Sequence, residues 1–254
     1  MDERIRLAVS DGIARLTLAA PERRNAIDLA FCEQWAALTD TCAKRADVRL
    51  ILIAAEGGLF SVGGDIGAFA AQGEALGPYI EACVAAFHAG IRALVDAPAP
   101  VLLALNGTAA GGAFSLVCMA DMAIAKRSAK LVSGYTQSGL TPDGGLSWLL
   151  PLRVGPSRAF EIMATNRPIA AEEAERLGLV ARVIDDDAFE QAVEDSAARL
   201  AAMPPEVLAD LKRLVRDGHR RSLAEQIDAE MAAMIRRGGM ADTQQRLRAF
   251  LAKR

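Results

Sequence analysis

Aromatic side chains are scarce in this chain of 254 residues, which has 8 Phe, 2 Tyr and 2 Trp. Aliphatic residues and alanine must fill its core, a composition that suits closely packed helices. Histidine is rarer still: only His88 and His219 occur. The 4 cysteines, Cys32, Cys42, Cys83 and Cys118, stand far apart with no CxxC pair. That spacing argues against a disulfide or zinc framework and for reduced, buried thiols in a cytoplasmic protein. There is no HExxH, no GxSxG elbow and no clustered His/Cys/Asp set. A metal site is therefore not expected, and a Ser-His-Asp hydrolase has no support. GxGxxG and the P-loop are missing too, which excludes the usual nucleotide-dependent redox and phosphoryl-transfer sites. A net charge of −3 offers nucleic acid no electrostatic footprint. No apolar run is long enough to span a bilayer. The N-terminal run MDERIRLAVSDG is charged and alternating, so no signal peptide is expected.

What the chain does have is glycine turns that follow short apolar runs. The clearest is VLLALNGTAAGGAFSLVCM, residues 101–119. Residues 101–105 read as a buried strand, Asn106-Gly107 breaks it, and residues 112–119 read as a helix. Between them lies Ala-Ala-Gly-Gly-Ala. A strand that ends in glycines and turns into a helix leaves backbone N–H groups unpaired at the helix N-terminus. Such donors hold an anion or a polarised carbonyl oxygen, and the missing side chains let a ligand approach. A second turn of this kind, Phe60-Ser-Val-Gly-Gly-Asp-Ile66, follows the strand pattern of residues 48–54. A third, Gly139-Leu-Thr-Pro-Asp-Gly-Gly145, leads into another helix.

The remaining pattern is βα alternation. A hairpin of residues 5–9 and 13–18 turns at Asp11-Gly12. Asp28 is placed to cap a helix over 29–45, and residues 75–95 read as a long helix ended by prolines. His88 falls in that helix, where a packing role is expected, and His219 reads as exposed. Asp65 is expected to cap the helix after the second turn, and Asp121 to belong to the strand after the central helix. A short strand is expected over 129–133, helices over 159–164 and 170–177, a strand over 179–184 and a helix over 189–203. Beyond Pro204-Pro205 the pattern is helical. The expected organisation is an α/β core over residues 1–203 and a helical region over 204–254, with Leu208, Leu211 and Val215 on a stripe to be buried against their own core or a neighbouring subunit.

Two glycine-lined helix starts and one carboxylate, Asp143, make a constellation. Two N–H groups from separate helix starts can bind one carbonyl oxygen and stabilise an enolate or a tetrahedral oxyanion. A nearby carboxylate can move protons on the adjacent carbon. Capping of the helix that starts near Gly144 is the structural alternative for Asp143.

In PERRNA (21–26), FSVGGDI (60–66), NGTAAGG (106–112), GLTPDGG (139–145), TNRPIAAEEAERLGLVARV (165–183) and AFLAKR (249–254), the chain resembles the crotonase, or enoyl-CoA hydratase/isomerase, superfamily. The resemblance covers nearly the whole chain in the family's motif order. It implies a spiral of ββα units, a helical C-terminal trimerisation region and a homotrimer or dimer of trimers. It implies an acyl-CoA thioester substrate, with coenzyme A as part of the substrate and no separate cofactor, metal, nucleic acid or membrane partner. The two oxyanion donors fall on Gly64 and Gly112. The substrate-binding positions fall on Arg23, Arg24, Ala26, Asp65, Ile66, Gly67, Gly111, Ser115, Tyr135, Phe250 and Lys253.

The departures bear on the reaction. Family hydratases use two glutamates, and their positions here carry Ser115 and Tyr135. Neither a serine nor an ordinary tyrosine is a competent base at neutral pH. Asp143, directly after Pro142, matches the single acid/base carboxylate of several family isomerases. It also matches the nucleophile of aryl-CoA dehalogenases, which carry tryptophan where this chain has Tyr135. The sequence thus favours a double-bond shift in an enoyl-CoA with Asp143 as acid/base. A hydratase or thioesterase with a substitute base, or a catalytically weak acyl-CoA-binding protein, remains the alternative.

Overall fold

The computed structural model describes residues 2–252, which fall into two compact units that meet between Ala202 and Met203. The boundary lies one residue before the expected one. In the first unit the order is β1 (Ile5–Ser10), β2 (Ile13–Leu18), α1 (Leu29–Lys44), β3 (Leu50–Ala55), α2 (Ile66–Ala70) and α3 (Leu76–Asp96). The central stretch gives β4 (Val101–Leu105), β5 (Ala109–Ala110) and α4 (Gly112–Met119). Then come β6 (Met122–Lys126), β7 (Lys130–Val132), α5 (Leu146–Val154), α6 (Pro156–Thr165), β8 (Ile169–Ala170), α7 (Ala171–Arg176), β9 (Arg182–Ile184) and α8 (Phe189–Ala201).

The main sheet runs β1-β2-β3-β4-β6-β9, antiparallel between β1 and β2 and parallel elsewhere. Strand alternation divides the core into two layers. Ile51 and Ile53, with Val101, Leu103 and Leu105, face α1, α3 and α4, while Leu50, Leu52, Leu102 and Ala104 pack with Phe189, Val193 and Ala197 of α8. Both faces are covered, so the parallel strands read as continuous apolar runs. A small sheet, β5-β7-β8, carries the loops that border the cavity described below. Asp121 departs from expectation. It precedes β6, and its carboxylate accepts the Val101 N–H at 2.7 Å, where it fixes the start of β4.

α1 and α3 form the broadest helix pair behind the site. Phe31 and Trp35 stack at 6.3 Å, and Trp35 meets Phe87 at 6.2 Å. Gly90 permits this contact, because a Cβ there would overlap the Trp35 indole. Asp28 caps α1 through the Phe31 N–H at 2.8 Å and binds Arg4 Nη2 at 2.7 Å, with both side chains almost fully buried. Burial pushes the Asp28 carboxyl up, but Arg4 and the Phe31 N–H outweigh it and hold it below the ordinary carboxylate range.

The second unit contains α9 (Pro205–Gly218), α10 (Leu223–Gly238) and α11 (Ala241–Leu251). Ser222 and Glu225 form a capping box on α10, and Asp210 of α9 ties to Arg213 at 2.7 Å and to Arg236 of α10 at 2.8 Å. The expected stripe is not buried within the single chain: Leu211 is 53% exposed and Val215 72%. Both line an open apolar groove of about 820 Å³ with Leu214, Met234, Leu247 and Phe250. No helix among the described residues is long and apolar enough to cross a membrane.

Gly90→Ala is expected to destabilise by ~1–3 kcal/mol through overpacking, against a helix-propensity gain of only ~1 kcal/mol; a lowered urea midpoint checks the sign. Asp28→Ala leaves Arg4 with only Asp2, 2.8 Å from its Nη1, and removes a cap, so a loss of ~2–5 kcal/mol is expected. Because the folded carboxyl titrates below its unfolded value, the Asp28 contribution is complete above the ordinary carboxylate range. It is lost as pH falls through the depressed value. Acid-unfolding curves of the variant should therefore lack that part of the pH dependence.

Candidate active site

The site begins with Asn25, which is almost fully buried at φ 49°. Its side-chain oxygen accepts the Ala20 N–H at 3.0 Å, and its amide donates to the carbonyls of Glu56, Leu59 and Phe60. This knot ties the PERRNA loop to the second glycine turn. Next in the chain, Ile27 N–H donates to Gly63 O at 2.8 Å and Ile27 O accepts the Asp65 N–H at 3.1 Å. In a trans peptide the N–H points opposite to the C=O. With the Gly63 carbonyl directed at Ile27, the Gly64 N–H is turned away from it.

The second glycine turn and the central one, residues 106–112, are held together strand-wise. Ser61 N–H donates to Thr108 O at 3.1 Å and Ala110 N–H to Ser61 O at 3.0 Å. The approach is so close that a Cβ on Gly63 would stand 2.6 Å from Ala110 O. Gly111, at φ 54° and ψ −126°, then turns the chain into α4, and its own N–H goes to the carbonyls of Val132 and Ser133. Gly112 opens α4, where helix geometry supplies no acceptor for its N–H. A Cβ on Gly111 would lie only 3.9 Å from Gly64 N, so the two glycine turns meet at one place.

Gly64, Gly111 and Gly112 line a cavity of about 560 Å³. Ile66, Phe69, Ile80, Val84, Phe87 and Val132 make most of its remaining wall apolar. Asp143 is the one carboxylate among its lining residues. The Asp65 side chain is taken by capping α2 through the Ala68 N–H at 2.9 Å.

The positions of the two family glutamates converge on Asp143. Tyr135 Oη donates to Asp143 Oδ1 at 2.6 Å and lies 3.3 Å from Ser115 Oγ. Ser115 Oγ donates to the Asp143 carbonyl at 2.8 Å. Burial and the adjacent carboxylate push the Tyr135 phenol well above its ordinary range, so it remains a proton donor. Asp143 does not cap α5: that role falls to Gly145, with no side-chain cap. The capping alternative is thereby removed.

Of the expected site residues, Gly64, Ile66, Gly111, Gly112, Tyr135 and Asp143 share the cavity. Ser115, expected against the substrate, is fully buried behind the wall, because its hydroxyl is turned onto the Asp143 carbonyl. Ala26 is buried in the neighbouring turn, and Gly67 lies exposed in α2. Arg23 stands 3.7 Å from Asp28 Oδ2, and Arg24 is exposed at φ 56°. Phe250 lines the groove of the second unit, and Lys253 lies outside the described residues.

His88 is the residue that sequence reasoning misplaced. It is not simply core packing, since its Nε2 accepts the Gly144 N–H at 2.9 Å and stands 3.7 Å from Asp143 Oδ2. The available signal was helical spacing: Ile80, Val84 and His88 recur every four residues on the cavity side of α3. Among the described residues no group of three or more His, Cys, Asp or Glu is arranged to hold a metal ion.

The enoyl-CoA hydratase/isomerase family model matches residues 8–254. The chain is 34% identical to the Rhodobacter capsulatus protein named "Probable enoyl-CoA hydratase", over 98% of this chain and 95% of that one. It is 32% identical to 1,2-epoxyphenylacetyl-CoA isomerase of Escherichia coli, over 97% and 94% of the two chains. The crystal structure of an enoyl-CoA hydratase from Polaromonas sp. JS666 superposes with a TM-score of 0.92 at 28% identity, covering 98% of this chain and 97% of that one. With the glycine turns, the ββα spiral and these likenesses in agreement over almost its full length, the chain belongs to the enoyl-CoA hydratase/isomerase family of the crotonase superfamily.

Proposed function

We propose that this family member is an enoyl-CoA isomerase that shifts a double bond, with Asp143 as its acid/base. The observation that carries the reading is the cavity's single lining carboxylate, which lies beside two positions where a hydratase would need glutamates. The Gly64 and Gly112 N–H groups bind the thioester carbonyl oxygen. Asp143 Oδ2 removes a proton, the electrons move onto that oxygen as an enolate, and the same carboxyl returns the proton two carbons away. No proton is gained or lost overall. Tyr135 occupies Oδ1, which leaves Oδ2 for the transfer. Coenzyme A belongs to the substrate, and the proposed chemistry asks for no further cofactor. Hydration would need a second base for water, and a buried, protonated Tyr135 does not supply one.

The exposed apolar faces of α9, α10 and α11 support self-association, as a trimer or a dimer of trimers by the family resemblance. Sedimentation should give a species larger than a monomer at micromolar concentration; a monomer there would count against this assembly.

Asp143→Asn keeps the shape and removes the base, so turnover of a 3-enoyl-CoA should fall ~10²–10⁴-fold with acyl-CoA affinity nearly unchanged. Full activity in that variant, or rapid hydration of crotonyl-CoA by the natural chain without any isomerisation, would overturn the proposal. Absence of α-proton exchange in heavy water across a panel of acyl-CoAs would favour a binding protein instead.

Gly112→Val places a branched side chain against Ile27 and Phe87, since even a Cβ there would stand 3.2–3.3 Å from them. The N–H is kept but its approach is blocked, so kcat should fall by up to ~10²–10³-fold, the scale of a lost oxyanion donor, and calorimetry should show weakened acyl-CoA binding but little change for free CoA. Equal losses for both ligands would sink the oxyanion role.

A further inference from the structure

The peptide unit between Asp143 and Gly144 is gripped on both edges. Its carbonyl accepts the Ser115 hydroxyl at 2.8 Å, and its N–H donates to His88 Nε2 at 2.9 Å. The grips come from different helices, Ser115 from α4 and His88 from α3. The turn they hold has unusual backbone, with Gly144 at φ 60° and Gly145 at φ 82°. A Cβ on Gly144 would stand 2.7 Å from Ser115 Cβ, so the turn lies tight against α4. The carboxylate just before it is fixed at Oδ1 by Tyr135, and Oδ2 is 3.7 Å from the same imidazole nitrogen that grips the peptide.

We propose that His88 is the positioning residue of Asp143, and that it serves only with an unprotonated Nε2. A nitrogen that accepts an N–H carries no proton of its own, so the bond assigns the neutral ring with its hydrogen on Nδ1. Protonation would set two donors, Nε2–H and Gly144 N–H, against each other. It would also place a cation beside Oδ2, the oxygen the proposed reaction uses. Both effects withdraw the base, so His88 protonation lowers activity before Asp143 itself is protonated or together with it. His88 is not assigned a proton-transfer step of its own. This inference rests on the isomerase reading for its effect on rate, but not for its geometry.

The groups around the ring leave Asp143 as its nearest charge. Tyr135 is bonded to that same carboxylate and stays protonated. Cys32 of α1 and Cys83 of α3 line the same cavity. Cys118 of α4 is fully buried and pushed up to about 12 by that burial, so it is neutral. Arg92, one turn further along α3, is exposed.

Two variants and one spectroscopic measurement test the proposal on the full chain. His88→Leu can neither accept the N–H nor titrate, and it should lower kcat by up to ~10²-fold, the scale of an ångström-level misplacement, with KM little changed. His88→Gln can accept through its side-chain oxygen but cannot titrate. It should recover part of the rate that the leucine variant loses, and the acid limb of its kcat–pH profile should lie at lower pH than that of the natural chain, since only the Asp143 base then remains to be protonated. Nitrogen-15 NMR of the imidazole should find the neutral ring protonated on Nδ1, with the Gly144 amide shifting in step with His88 as pH falls. A proton on Nε2 of the neutral ring, or an acid limb at the same pH in His88→Gln as in the natural chain, overturns the proposal. If Asp143→Asn keeps its activity, the isomerase reading fails, and the tautomer and the Gly144 coupling still decide the role of His88.

Discussion

Two backbone N–H groups can be left facing one cavity only if the chain around them is held by something else. Here that constraint is met by the contact of two glycine turns, in which a Cβ on Gly63 would stand 2.6 Å from Ala110 O. Side chains on either turn would push them apart, so the approach is reserved for glycine and alanine. Hydrogen bonding then orients what sterics bring together. Asn25 fastens the second turn, Ile27 takes the Gly63 carbonyl and the Asp65 N–H, and β7 and the residue after it take the Gly111 N–H. The Gly63 carbonyl and the Asp65 and Gly111 N–H groups, which flank the Gly64 and Gly112 donors, thus have partners outside the cavity. Pre-organised donors of this kind act without reorganising when charge develops on a carbonyl oxygen.

The other end of the cavity is packed around a single carboxylate. Replacement of two glutamates by Ser115 and Tyr135 does not leave a hole. The hydroxyls turn toward Asp143, one onto its carbonyl and one onto Oδ1. A carboxylate held on one oxygen presents the other in a defined direction. The arrangement also separates the roles of similar groups: Asp65 caps a helix, Asp121 starts a strand, and Asp143 lines the cavity.

Much of this was legible before any coordinates. β4 and α4 have the bounds expected from a five-residue apolar run and a run of apolar residues after Gly-Gly. Asp28, Asp65 and the Asp11-Gly12 turn carry local chemistry that few folds would overrule. Long-range effects were less readable. Whether Asp143 caps α5 depends on where that helix starts, and two left-handed glycines delay it to Leu146. Ser115 faces away from the cavity because of a carbonyl 28 residues further along the chain. The role of His88 arises from a backbone N–H 56 residues away, a partner that helix periodicity cannot name. The second unit shows the same limit, since a stripe at helical spacing does not say what covers it.

The rarity of aromatic residues has an optical consequence. Of the 2 tryptophans, Trp148 is 43% exposed while Trp35 is fully buried. Trp35 lies behind the cavity, 6.2 Å from Phe87 with the two rings tilted by 37°, and the Phe87 ring forms part of the wall. Its indole is therefore separated from the cavity by a single side chain. The protein carries a built-in fluorophore at the back of its own cavity, with a second one at the surface that aqueous quenchers can silence. Ligand occupancy can then be followed by emission from the natural chain, without a label and without turnover.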